Sequence, residues 1–262
     1  MKTGISLAIG LMVLAACVPA TPTATLVSIT PAAITCDTAG IVNSESITTA
    51  QGLDYPYMIY LPPCYQSDGS RLYPILYLIP GRGGGPGTWF AANVAEIADE
   101  LILSRQVAPF IIVSTQSIDN SPTPTAITDD LVPSLENLYP ISPDRRHHEV
   151  AGGSLGGIAA YRVGFSNPDH FSSVGMFGSG LTHGEEDQIR KWLGAMTADN
   201  KPLVFLNSGW DDPLMVDSAY DMLALLAEYD IPYKHVFTKG AHVYSYWAMY
   251  LPDYIQWAAQ DW

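Results

Sequence analysis

The stretch His148-Glu-Val-Ala-Gly-Gly-Ser-Leu-Gly-Gly157 constrains the chain more than any other. An apolar run that reads as a strand enters glycines on both sides of one serine. A helix of small residues, "SLGGIAAYRVGFS", follows directly. An ordinary strand-to-helix turn needs at most one glycine. Gly152-Gly153-Ser154-Leu155-Gly156 fits the spacing G-x-S-x-G, a turn so tight that the central residue is held in a strained backbone conformation with its side chain displayed. Residues flanking it must be small, or their Cβ atoms collide with sheet and helix. The helix start adds a positive dipole end and N–H groups without helical acceptors beside Ser154.

The segments around this turn alternate in kind. Segments at 57–62, 74–80, 108–115, 148–153, 172–180, 202–209 and 233–240 read as strands; 74–80 is a continuous apolar run suited to burial on both faces, and 108–115 is another buried strand. Helical spacing occupies 90–105, 127–139, 154–166, 185–197, 213–229 and, interrupted near Pro252, 243–260. This alternation predicts an α/β domain with a mostly parallel sheet covered by helices on both faces. Sites in such sheets lie beyond the carboxyl ends of the strands.

The chain is 262 residues long with a formal net charge of −14. That charge argues against nucleic acid, whose phosphates need a basic face, and against direct adsorption to anionic lipid. With 48% apolar residues it can bury a sizeable core. Residues 1–16 have one early lysine, Lys2, and a short apolar stretch, the pattern of a signal peptide rather than a membrane span. Leu14-Ala15-Ala16-Cys17 resembles the lipobox of bacterial lipoproteins, which implies a lipid on Cys17 and an extracytoplasmic location. Residues 17–35, rich in Thr, Pro and Ala, read as a tether. One domain is expected over 36–262. Cys36 and Cys64 form a natural disulfide pair in an oxidising compartment. No cysteine or histidine cluster has metal-ligand spacing, so no metal is expected.

A serine hydroxyl needs a base, and the base an orienting acid. Candidates stand just past strand ends and in the order Ser, acid, His found in α/β-hydrolases. Asp211 and Asp212 follow "PLVFLNSG", and His242 follows "YKHVFTKG". His183, in "GSGLTHGEE", is the rival base. One aspartate can face the histidine while the other caps the helix near Pro213, which on the residues alone favours Asp212 as the cap. The loop "PGRGGGPGTWF" follows a buried strand and carries no Walker lysine. Its backbone N–H groups, with that of Leu155, are candidates for an oxyanion hole. Trp89, Phe90, Trp210, Tyr244, Tyr246 and Trp247 fall near these loops and offer stacking surfaces for an aryl or sugar ester, with Trp89, Trp210 and Tyr244 foremost.

Taken together, "YLPPCY", "PGRGGGPGTWF", "DLVPSLENLYPISPDRRHHEVAGGSLGG", "NPDHFSSVGMFGSG", "SGWDDPL" and "KGAHVYSYWAMYLPDYIQW" resemble the Putative esterase family of α/β-hydrolases. That family includes feruloyl esterases, S-formylglutathione hydrolases (esterase D) and the antigen 85 mycolyltransferases. The resemblance runs from about Cys36 to Trp262. It implies an α/β-hydrolase fold, a serine esterase needing no cofactor, and an ester substrate that is a small molecule or linked to a polysaccharide. The family's G-x-x-D pattern maps onto Gly209 and Asp212, and so selects Asp212 as the acid. Its G-x-H maps onto His242. Its loop donors map near Arg82 and Gly83, although Pro80 stands where the family usually has histidine. The same resemblance admits two other readings: an acyltransferase using the same residues, and a binding lipoprotein on an inactive hydrolase fold.

Overall fold

A computed structural model describes residues 36–120 and 125–262. The expected signal peptide, the lipidation at Cys17 and the tether lie outside the described residues. Eight strands form one sheet in the order β1-β2-β4-β3-β5-β6-β7-β8. They are β1 (Ile41–Thr48), β2 (Asp54–Leu61), β3 (Ile75–Ile79), β4 (Ile111–Ser114), β5 (His148–Gly153), β6 (Ser173–Phe177), β7 (Leu203–Gly209) and β8 (Tyr233–Thr238). β3 to β8 run parallel, while β2 lies antiparallel to β4 and β1 antiparallel to β2.

The helices are α1 (Val94–Leu103), α2 (Val132–Leu138), α3 (Leu155–Ser166), α4 (Glu186–Ala195), α5 (Val216–Glu228), α6 (Tyr244–Ala248) and α7 (Leu251–Ala258). The strand alternation sorts side chains into two cores. Ile75, Tyr77 and Ile79 of β3 face one core, with Val150, Val174 and Leu206, and this side is covered by α2, α3, α4 and α5. Leu76 and Leu78 face the other, with Ala151, Phe177 and Phe205, under α1, α6 and α7. Strands with apolar residues on both faces are what a central parallel sheet requires. β5 also buries an acid, Glu149, whose carboxyl accepts from the Ser172 hydroxyl at 3.2 Å. Burial pushes that carboxyl up to about 8, so it packs mainly as a neutral acid at pH 7.

Two elements differ from the sequence reading. β1 has no counterpart in it. "IVNSESIT" is an edge strand with almost every residue exposed or half-exposed, so it carries no apolar alternation to detect. The helix expected over 127–139 divides into a wide turn at Ile127–Leu131 and α2. Within that turn Asp130 is buried, and it accepts the Ala50 N–H from the β1–β2 turn at 2.8 Å. As expected, the terminal helix is interrupted near Pro252: it breaks between α6 and α7, with Pro252 in the first turn of α7, where its missing N–H costs nothing.

Cys36 and Cys64 are joined by a disulfide, with 5.8 Å between their Cα atoms. Cys36 precedes β1 and Cys64 follows β2, whose register pairs Ile41 with Leu61. The bond therefore closes the open end of this antiparallel hairpin, opposite its turn. With a sequence separation of 28, the chain-entropy estimate is roughly 3–4 kcal/mol. Replacing both cysteines by serine should lower unfolding free energy by about that amount in a urea titration. An unchanged midpoint would mean that the hairpin is held without the bond, by its ladder, by its pairing with β4 and by Asp99 and Asp130.

Candidate active site

β5 delivers the chain to the carboxyl edge of the sheet, and Ser154 turns it. Its φ is 55° and ψ −121°, a region non-glycine residues enter only when their surroundings force it. The Ser154 N–H donates to the Phe177 carbonyl at 2.8 Å, anchoring the elbow to β6. Space explains the glycines. A Cβ at Gly152 would strike the Gly156 backbone, and one at Gly156 would strike the carbonyl of Ile79. The helix thus crosses the end of β3 at a distance that any side chain would prevent. Leu155, the first residue of α3, has its N–H where the helix offers no acceptor.

Two strand ends bring the partners. After β7, the turn 210–215 carries Asp212, fully buried, while Asp211 is exposed. After β8, His242 enters the site with its ring edge-on to Trp247, 4.9 Å between centroids. His242 Nδ1 lies 2.6 Å from Asp212 Oδ2, and Nε2 lies 2.8 Å from Ser154 Oγ. An ionised carboxylate only accepts, so Nδ1 carries the hydrogen and Nε2 presents its lone pair to the Ser154 hydroxyl. The other carboxylate oxygen of Asp212 accepts the Leu214 N–H at 3.1 Å. Asp212 therefore holds its own turn and orients the imidazole, the two jobs that sequence reasoning had divided between neighbours. His183 is 90% exposed and lies beside Glu186, with no contact to Ser154.

The glycine loop borders Ser154. A Cβ at Gly81 would stand 3.3 Å from both the Ser154 Cβ and the Tyr244 hydroxyl. The Gly81 N–H donates to that hydroxyl at 2.6 Å. Gly83 departs from expectation. It has φ of 68°, and its N–H donates to both carboxylate oxygens of Asp119 at 3.2 Å, so it is spent outside the site. Of the two expected loop donors, Arg82 is the one left. Neither Asp119 nor the role of Tyr244 as loop clamp was legible in the sequence, because both act through contacts distant along the chain.

Trp89 also departs from expectation. It is fully buried, donates from Nε1 to the Ile79 carbonyl at 3.2 Å and packs edge-on against Tyr244 at 5.0 Å. It supports the clamp and offers no face to a ligand. Trp210 is 61% exposed on the β7 turn. Tyr244 fronts a groove of about 690 Å³, whose walls include Thr88, Ala91, Ile97, Ala248 and Met249.

A serine elbow at the end of the central strand, on a mostly parallel sheet with helices on both faces, defines an α/β-hydrolase fold. The family model described as Putative esterase matches residues 48–258, and the chain belongs to that family. An endo-1,4-β-xylanase/feruloyl esterase of Xylanibacter ruminicola is 26% identical over 144 residues, covering 49% of this chain and 20% of that protein. The chain spans less than half the length of the curated relatives it matches, 42% and 20% for the first two. Among solved structures, a ferulic acid esterase superposes with TM-score 0.74 at 20% identity, covering 85% of this chain and 98% of that one. The feruloyl esterase module of Clostridium thermocellum, as an S954A mutant complexed with sinapinate, superposes with TM-score 0.70 at 19% identity, covering 85% and 89%.

The elbow's close approach has a measurable consequence. Gly156→Ala forces α3 away from the Ile79 carbonyl and should destabilise the fold by about 3 kcal/mol or more. The readout is the chemical-denaturation midpoint, and a wild-type midpoint would show that the crossing has slack.

Proposed function

We propose that this chain is a serine carboxylic-ester hydrolase acting on aryl esters of the hydroxycinnamoyl type, carried on carbohydrate. The observation that carries the reading is the continuous hydrogen-bonded line from Ser154 Oγ through His242 to the buried carboxylate of Asp212. In the mechanism, Ser154 Oγ attacks the ester carbonyl as His242 Nε2 takes its proton. The imidazolium that forms is stabilised by Asp212. The N–H groups of Leu155 and Arg82 receive the developing oxyanion, which needs donors already in place. His242 then returns the proton to the leaving alcohol, and the carbon–oxygen bond to that alcohol breaks. Water, deprotonated by the same imidazole, cleaves the acyl-serine and restores the hydroxyl.

The substrate class rests on three supports. The groove beside Tyr244 has an apolar lining of alanine, isoleucine and methionine side chains with a few polar groups, suited to a planar ring. The solved structures of similar fold include proteins that bind sinapinate and ferulic acid. One sequence relative bears the name of a xylanase joined to a feruloyl esterase. Trp210, exposed on the turn after β7, would offer its ring to a sugar of the alcohol portion. The disulfide fits an extracytoplasmic location. Lipidation of Cys17 would tether the domain to a membrane facing such polymers.

Ser154→Ala and Asp212→Asn should each lower kcat on a feruloyl ester by roughly ten-thousand-fold, while Asp211→Asn leaves it unchanged. Full turnover in Ser154→Ala, or equal losses at the two aspartates, would refute the assignment. Product analysis with a sugar acceptor present separates hydrolysis from acyl transfer: free ferulate supports the reading, and a transferred ester as the main product overturns it.

A further inference from the structure

At the opposite edge of the sheet from Ser154, three side chains converge that no local motif connects. His148 opens β5, Glu136 stands in α2, and His170 lies in the loop between α3 and β6. One ligand atom from each lies within 4.8 Å of the other two. Glu136 Oε1 is 3.9 Å from His148 Nδ1 and 3.6 Å from His170 Nε2. The two imidazoles meet edge to face, 4.4 Å between centroids.

The hydrogen bonding of His148 decides what this cluster can do. Its Nε2 is 2.6 Å from the Ser142 carbonyl. A carbonyl only accepts, so Nε2 carries the hydrogen and Nδ1 is left with a bare lone pair in the neutral ring. Nδ1 is buried without a hydrogen-bond partner, on a residue only 2% exposed, and it points toward Glu136 and His170. His170 Nε2 is also buried without a hydrogen-bond partner. A proton on His170 Nε2 would serve Glu136 and still leave His148 Nδ1 unpaired. Burying a polar nitrogen unpaired costs roughly 1–3 kcal/mol, and a divalent cation would take a lone pair from each of the three atoms together.

We propose that Glu136, His148 and His170 bind one divalent transition-metal ion, with zinc the best match, and that a water completes the tetrahedron. Two imidazole nitrogens and a carboxylate are a zinc donor set; calcium and magnesium prefer oxygen alone. Zinc bonds of about 2.0–2.1 Å in a tetrahedron set ligand atoms roughly 3.3 Å apart. The two distances from Glu136 exceed that by a few tenths of an ångström, and the three ligand atoms lie within 4.8 Å of one another, so binding draws the partly exposed Glu136 and His170 side chains in toward His148. The held outer N–H of His148 is the support that metal-bound histidines normally have. Solvent reaches the cluster past Glu136, whose side chain is 39% exposed.

The ion would staple α2, the first residue of β5 and the loop before β6. Ser154 lies six positions along the chain from His148, about 20 Å at strand spacing. The ion therefore stabilises the base of the central strand and takes no part in ester chemistry. The inference stands whether or not the ester reading holds.

The test uses the intact chain, stripped with a chelator and titrated with Zn²⁺ by calorimetry, with Tm followed in parallel. One saturable ion per chain is expected, with Tm rising by roughly 5 °C at a hundredfold excess over Kd. Glu136→Gln and His170→Gln alter partly exposed side chains, so the fold should survive, as circular dichroism will verify. Each should weaken Zn²⁺ at least about tenfold and cut the Tm rise at the same Zn²⁺ concentration to roughly half or less. Wild-type affinity in both folded variants would place the ion elsewhere and overturn the proposal. So would the absence of saturable Zn²⁺ binding by the folded wild type.

Discussion

The site depends on one close approach: α3 crossing the end of β3 so near that Gly156 has no room for a Cβ beside the Ile79 carbonyl. This approach forces the turn at Ser154 into its left-handed backbone conformation and lifts the hydroxyl clear of the sheet. The strain is held by its neighbours. The Ser154 N–H is tied to β6, and α3 buries seven residues against the sheet and neighbouring helices. A strained serine persists because the surrounding packing over-determines it.

The parallel sheet then does the gathering. Because β5, β7 and β8 point the same way, the loops after them open at one edge, and Ser154, Asp212 and His242 meet there although up to 88 positions separate them. The glycine loop after β3 opens at the same edge. Its shape is set by two clamps, Asp119 on the Gly83 N–H and Tyr244 on the Gly81 N–H. Tyr244 is braced in turn by Trp89. An aromatic that sequence position marks as a ligand contact thus becomes the backing of Tyr244, behind the glycine loop.

The same architecture has a second edge, where strands begin. The amino end of β5, the end of α2 and the loop before β6 come together there for the same topological reason, and they bring Glu136, His148 and His170 with them. Nothing in the spacing of these residues, 12 and 22 positions apart along the chain, resembles a metal motif. The juxtaposition is a product of the sheet order β3-β5-β6.

What the sequence by itself determined is local and periodic. The central strands, the helices between them and the elbow at 152–156 were legible because apolar period and glycine spacing are written in neighbouring residues. β5 and α3 fall where they were expected. Only the tertiary structure decided that the aspartate facing the His242 ring also holds its own turn, that Gly83 turns its N–H to Asp119, that Trp89 is buried, and that an edge strand forms at 41–48. Each of these depends on what lies across a gap in space: a ring, a carboxylate, a groove wall or a neighbouring strand. A one-dimensional pattern records the period of a chain, but not which side chain another element will meet.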